Sequence, residues 1–509
     1  MDELQLQSVT VAAIAFLCGV YFLCFCTASR APRPPWPPGL PFLGNILQVP
    51  VKHVFLIGDI RLAKEVLEKR SAKFSSRPTI PYVVRSLDFF FFVIHVAFSV
   101  TMSIQPRHIG DFYEQDETHF IGRKLTVGLM AAVRAGETGP LQQFEALLNI
   151  THLLDDRGKN WFNHMDRVSG SMVLTAAFGL HCPTGQEPDL KEVIACVAEF
   201  VRLSTPSASI MNVLPFPDII PGPMPWRKQA QSYRKREDAL YDKLVTHALS
   251  GEASGMNTWA AVFAREDKPE GDQRRLMNQF AATAHSMHTF ILACILYPEW
   301  IPRAQREIDA IVGEDRLPSF KDRPHLPYVE AIVRETLRWR PVARFGVPHQ
   351  STADDVVGYK GNEYFIPKAS IIFPVVWAIE HEPERFGNHD LFQPERFLDD
   401  TNNLKVGYET TDITVCPGIP FAERALWINI AMMLWTFNIR KSDELDLKTG
   451  LPFKYDDSDS AFSGEFTSGP LEFPAVFEPR SVQRAEVARK EWAECEKDLN
   501  VLLPRHKGQ

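Results

Sequence analysis

The run Thr414-Val415-Cys416-Pro417-Gly418 is continued by Ile419-Pro420-Phe421-Ala422-Glu423-Arg424-Ala425-Leu426-Trp427-Ile428-Asn429-Ile430-Ala431-Met432-Met433-Leu434-Trp435, and its reading decides the fold. A cysteine in a Pro/Gly turn stands ahead of a helix that is apolar on nearly every side. Such a helix is buried, so the turn delivers Cys416 to the interior. Pro417 holds its own backbone rigid, and Gly418 lets the chain pass close to a neighbour. A sulfur just ahead of a helix meets free N–H groups and the positive end of the dipole, which favours thiolate over thiol. A buried thiolate suits a soft metal, and porphyrin iron is one such metal. A free cysteine packed in a core is the other reading, and these residues alone leave both open.

The chain has 509 residues, 45% hydrophobic and 23% charged, a globular composition able to bury a large core. A net charge of −8 argues against a nucleic-acid partner. The cysteines are scattered: Cys18, Cys24 and Cys26 near the start, then Cys182, Cys196, Cys294, Cys416 and Cys495 far apart. No Cys-x-x-Cys spacing points to a zinc site or a disulfide framework, which suits a reducing compartment.

Val9 to Ala28 is apolar and long enough to cross a bilayer. Asp2 and Glu3 precede it, and Arg30 and Arg33 follow it. The positive flank stays cytoplasmic, so the spacing predicts an uncleaved anchor with the bulk of the chain on the cytosolic side. A cleaved signal peptide is the competing reading, and the basic residues sit on the wrong side of the run for it. Ala31 to Pro41 reads APRPPWPPGLP, a stiff extended hinge.

Further on, Val54 to Asp59 is a strand candidate and Arg61 to Arg70 has helical spacing. Helices are predicted over Trp161 to Leu180, Lys228 to Leu249, Phe280 to Leu296, Glu299 to Val312 and Tyr328 to Trp339. His285 and His288 lie one turn apart, a spacing that can hold a metal, but no cysteine or carboxylate joins them. Core or rim histidines are the plainer reading. Glu335 and Arg338 flank an apolar stripe of Val329, Ile332, Val333, Thr336 and Leu337. Such a pair is usually a surface ion pair, but the neighbouring positions make a buried, bidentate one an option. Gly358 to Pro367, Ser370 to Trp377 and Leu471 to Phe477 are strand-like, and a charged helical tail closes the chain.

The order of the pieces carries a resemblance. An apolar anchor and a PPGLP hinge are followed by Glu335-x-x-Arg338, Phe392-x-Pro394-Glu395-Arg396-Phe397 and Cys416-Pro417-Gly418 ahead of a buried helix. Val347-Pro348-His349 and Phe365-Ile366-Pro367-Lys368 lie between the charged motifs. Together they resemble the microsomal haem-thiolate monooxygenases, the cytochromes P-450, and in wording the fungal ones.

The resemblance implies a mainly α cytochrome P-450 fold with a small β region and an N-terminal transmembrane helix. Residues 9–28 would be the anchor, 29–41 the hinge and 42–509 the P-450 domain. It implies haem as cofactor, with Cys416 as axial thiolate and Pro417 and Gly418 shaping its turn. Glu335, Arg338 and Arg396 would form an interior charge triad, and His349 would lie near a haem propionate. The implied activity is monooxygenation of an apolar small molecule, in secondary metabolism or on xenobiotics. Electrons would come from an NADPH-dependent flavoprotein reductase at the endoplasmic reticulum membrane.

The chain also departs from that pattern. Seven, four and two places before the cysteine the family has Phe, Gly and Arg; here stand Glu409, Asp412 and Thr414. Negative charge there raises the thiol pKa. The oxygen-activating acid and alcohol fall on Ala281 and Ala282, leaving Thr283 one place away as the candidate alcohol. The Trp/Arg pair expected after Phe92 is not visible in Val93 to Phe112, and a segment is skipped between His53 and Val54. These breaks read as missing or retained coding segments of an incomplete or mis-spliced gene, leaving the domain incomplete in its N-terminal half. Two other readings follow: a catalytically silent relative that holds haem poorly, and a membrane-anchored binding protein without enzymatic activity.

Overall fold

A computed structural model describes residues 53–76, 133, 136–204, 225–250, 253, 256–265, 280–407, 418–446, 449–464 and 467–503. The anchor 9–28, the hinge 29–41, the segment 93–112 and the residues Cys416 and Pro417 lie outside them. Among the described residues no helix is long and apolar enough to cross a membrane.

Helices dominate: α1 (Gly139–Asp155), α2 (Trp161–Phe178), α3 (Pro188–Ser204), α4 (Pro225–Leu249), α5 (Trp259–Arg265), α6 (Phe280–Leu296), α7 (Ile301–Val312), α8 (Pro327–Trp339), α9 (Ile419–Thr436) and α10 (Val482–Glu494). The strands are β1 (Val54–Ile57), β2 (His349–Gln350), β3 (Asp355–Tyr359), β4 (Asn362–Ile366), β5 (Ile371–Pro374), β6 (Phe437–Lys441) and β7 (Ala475–Pro479).

α9 is the axis of the core. Every residue from Ala425 to Thr436 is buried. A helix apolar on all sides needs neighbours on all sides, and α1, α6, α7, α8 and α10 supply them. Pro420 in its first turn lacks an N–H that would have had no helical partner anyway. α1 is buried almost throughout, with the polar Gln142, Glu145 and Asn149 each fully inside. Glu145 accepts from Arg167 Nη1 on α2 at 2.7 Å, which locks α1 to α2. α2 stops where Gly179 turns left-handed at φ 71°.

A small sheet stands apart from this bundle in the order β1-β5-β2, with β1 parallel and β2 antiparallel to β5. Its own apolar layer holds Ile57, Val66, Phe74, Ile372 and Ile379. Gly346 makes the approach to β2 possible. Its φ is +60°, and a Cβ there would lie 2.4 Å from the Pro374 carbonyl oxygen.

Three expectations are corrected. Gly358 to Pro367 is not one strand; Lys360 and Gly361, both at positive φ, fold it into the hairpin β3–β4. Ser370 to Trp377 keeps its strand only to Pro374, after which Val376–Glu380 is helical. The strand predicted over Leu471 to Phe477 begins at Ala475, because Pro474 has no N–H to give a ladder.

Candidate active site

α8 starts with Pro327 and buries Val329, Ile332, Val333 and Thr336 along its stripe. Glu335 and Arg338 share that inner side, and both side chains are fully inaccessible. Arg338 Nε donates to Glu335 Oε2 at 2.6 Å and its Nη2 to Oε1 at 3.0 Å, a bidentate pair. The turn Pro394–Phe397, anchored by buried Pro394 and Phe397, brings in Arg396. Arg396 Nε donates to Glu335 Oε1 at 3.0 Å.

The triad carries two cations against one carboxylate, and backbone carbonyls answer the excess. Arg338 donates to the carbonyls of Glu380 and His389, both at 2.9 Å. Arg396 donates to those of Gly387 at 2.8 Å and Asn388 at 3.2 Å. Glu335 Oε1 accepts further from the Gln393 N–H at 2.7 Å, which pins the turn back onto α8. Burial pushes the Arg396 pKa down, and the Glu335 carboxylate works against it.

α8 packs directly on α9, the helix that follows the cysteine turn. Gly418 is the first described residue of that turn. It caps α9, its carbonyl accepting from the N–H groups of Phe421 and Ala422, each at 3.1 Å. Thr283 sits on α6, 5% exposed, and α6 packs on α9 as well. His349 lies on β2, buried, with Nδ1 2.8 Å from the Phe74 carbonyl oxygen. A carbonyl only accepts, so that nitrogen carries the proton. The structure thus brings Glu335, Arg338 and Arg396 into one contact, sets α6 and α8 against α9, and places His349 on the separate sheet.

His288 is fully buried and stacked on Phe162, with ring centroids 3.6 Å apart. Burial lowers its pKa to about 3 and that of His285 to about 4. Among the described residues no group of three or more His, Cys, Asp or Glu side chains could hold a metal. The described thiols are poor thiolates. Burial pushes Cys196 up to about 11 and Cys182, Cys294 and Cys495 upward as well.

Sequence periodicity does not single out the polar residues on α1. Gln142 Nε2 donates to the Phe421 carbonyl at 2.9 Å, and Asn149 Nδ2 to Asn429 Oδ1 at 3.1 Å. The available signal was polar residues at three- and four-residue spacing among Leu141, Phe144, Leu148 and Ile150, which reads as a surface face rather than a buried one.

Comparison with known proteins agrees with this geometry. The cytochrome P-450 family profile matches residues 142–453. The chain is 30% identical to the cytochrome P-450 monooxygenase peniB of Penicillium patulum, over 96% of this chain and 92% of that protein. It is 29% identical to the cytochrome P-450 monooxygenase verL of Clonostachys rogersoniana, over 91% of this chain and 90% of the relative. A cytochrome P-450 monooxygenase of Armillaria gallica is 28% identical over 96% and 98% of the two chains. With its mainly helical fold and small sheets, this chain belongs to the cytochrome P-450 family, whose members hold haem by a cysteine thiolate.

Proposed function

We propose that this chain is a haem-thiolate monooxygenase acting on an apolar small molecule, with Cys416 as the axial ligand. The observation that carries the reading is the triad in which Arg396, from the Pro394–Phe397 turn, joins the fully buried Glu335–Arg338 pair on the helix packed against α9. A triad so placed braces the cysteine side of the core against movement. The chemistry of the donor set fits the group. In the sequence Cys416 stands two residues ahead of the cap of a buried helix, where N–H groups favour the anion, whereas burial disfavours the thiolate at the cysteines among the described residues.

When bound, haem would supply the oxidation: insertion of one atom of O2 into substrate, with two electrons and two protons, the other atom leaving as water. The chain's own residues do the rest. Cys416 would hold the iron, Pro417 and Gly418 would shape the turn, and Thr283 on α6 would offer a hydroxyl for proton delivery. His349 would meet a propionate; with Nδ1 committed to Phe74, Nε2 becomes a donor only in the protonated ring. Residues 9–28 would anchor the chain in the endoplasmic reticulum membrane, next to an NADPH-dependent flavoprotein reductase. Secondary metabolism or xenobiotic oxidation is the proposed setting.

The test is turnover. The full chain, co-expressed with a flavoprotein reductase and given NADPH and labelled dioxygen, should place one labelled oxygen atom in an apolar substrate. NADPH consumption without labelled product from a broad apolar panel would contradict the reading. Glu409 and Asp412 favour a second reading, a silent relative with a weakened ligand, and that outcome would support it.

A further inference from the structure

Two buried amide bridges tie α1 to α9. Gln142 Nε2 reaches the Phe421 carbonyl at 2.9 Å, and Asn149 Nδ2 reaches Asn429 Oδ1 at 3.1 Å. Gln142 and Asn149 are fully buried, and Asn429 is 1% exposed. Asn429 is itself oriented by donating Nδ2 to the Ala425 carbonyl at 2.9 Å. The bridges are seven residues apart along α1 and eight along α9, about two turns on each. The helices therefore run in the same direction, and neither sliding nor rotation of α9 preserves both bonds.

The lower bridge is unlike ordinary packing. Gln142 Oε1, like Asn149 Oδ1 in the upper bridge, is buried with no partner among the described residues. A leucine or methionine would fill the same space without burying a bare amide oxygen. The orientation is not arbitrary, because the Phe421 carbonyl can accept only from the NH2 end. Phe421 lies in the first turn of α9, five residues beyond Cys416, and its ring meets Trp259 edge-on at 5.4 Å. Behind Gln142, α1 is fixed to α2 through Glu145, Arg167 and Ser171.

We propose that Gln142 is a positioning residue: its amide sets the height of the first turn of α9 against the α1–α2 frame, and so the height of the Cys416 turn. This rests on the haem-thiolate reading. Gln142→Met keeps the volume and removes the donor, whereas Gln142→Ala removes both. If the hydrogen bond does the positioning, the two variants lose the red-shifted carbon monoxide band of reduced protein to a similar extent while still binding haem. If Gln142 only fills space, Gln142→Met keeps the wild-type band and Gln142→Ala alone loses it, which overturns the proposal.

A second readout needs no haem. In the full chain before haem is added, amide exchange over Phe421–Ala425 should run about tenfold faster in Gln142→Met, the loss of one neutral hydrogen bond. Exchange over Asn429–Thr436 should stay unchanged. Equal exchange in variant and wild type overturns the proposal. A wild-type chain that binds haem without the red-shifted band overturns the haem-thiolate reading instead, and the exchange comparison still decides the Gln142 bond.

Discussion

Glu335 accepts two hydrogen bonds from Arg338 one turn further along α8, at 2.6 and 3.0 Å, with both side chains fully out of water. An exposed pair at this spacing contributes a few tenths of a kcal/mol. A buried pair behaves differently, because removing one partner leaves the other charged and dry.

Arg338→Leu should therefore destabilise the fold by roughly 3–5 kcal/mol, and Arg396→Leu by less, since Arg338 would still neutralise Glu335. Urea unfolding midpoints of the two variants check the order. Equal losses below 1 kcal/mol in both, on the scale of surface pairs, would show that the triad does not brace the core.

The buried histidines set an acid limb. His285 and His288 are held near pKa 4 and 3 by burial, below the ordinary value of 6.5. The native state prefers them neutral, so their contribution is complete above pH 6.5 and is lost as pH falls toward 4 and 3. The slope reaches about 1.4 kcal/mol per pH unit for each group. Asp166, 3.7 Å from His288, is pushed up to about 7 by burial, with Glu472 adding to it. Its contribution has the opposite sign and fades as pH rises from 4 through 7. His288→Gln should flatten the acid limb between pH 6 and pH 4, read as stability against urea at stepped pH. An unchanged limb would show that His288 does not titrate in the unfolding reaction.

Two tryptophans of α9 should answer differently to the same change. Trp435 Nε1 donates to the Gly313 carbonyl at 2.8 Å, whereas Trp427 Nε1 is buried with no partner among the described residues. Trp435→Phe loses a hydrogen bond as well as volume; Trp427→Phe loses volume and relieves a bare N–H. Thermal unfolding should show Trp435→Phe the less stable by roughly 1 kcal/mol. The reverse order would contradict the assigned bonding.

Gly346→Ala should loosen the small sheet. An alanine there takes a left-handed backbone, costing roughly 1–2 kcal/mol, and its methyl meets the Pro374 carbonyl oxygen at 2.4 Å. Faster amide exchange across β2 and β5 is the expected result. Wild-type exchange would show that the loop has another route into the sheet.

Much of this arrangement was legible in the residues. The run Ala425 to Trp435 offers no polar face and reads as a core helix, and Glu335 and Arg338 beside an apolar stripe left a buried pair open alongside a surface one. The site's partner across a long separation was legible only through the resemblance, which implied that Arg396 joins Glu335 and Arg338. Arg396 reaches Glu335 over 61 residues through a turn that periodicity cannot place. No element is predicted over Gly139–Asp155, and spacing alone would put Gln142, Glu145 and Asn149 on a wet face. Their burial becomes evident only with Phe421, Arg167 and Asn429 beside them. The β3–β4 hairpin turned on Lys360 accepting a positive φ, which its residue type does not advertise.

The absorbance of the haem-loaded full chain, reduced and exposed to carbon monoxide, tests the role of Cys416 most directly. The account predicts a strongly red-shifted band in the wild type and its loss in Cys416→Ser. A band that survives the serine substitution, or haem in the wild type with an unshifted band, would contradict it.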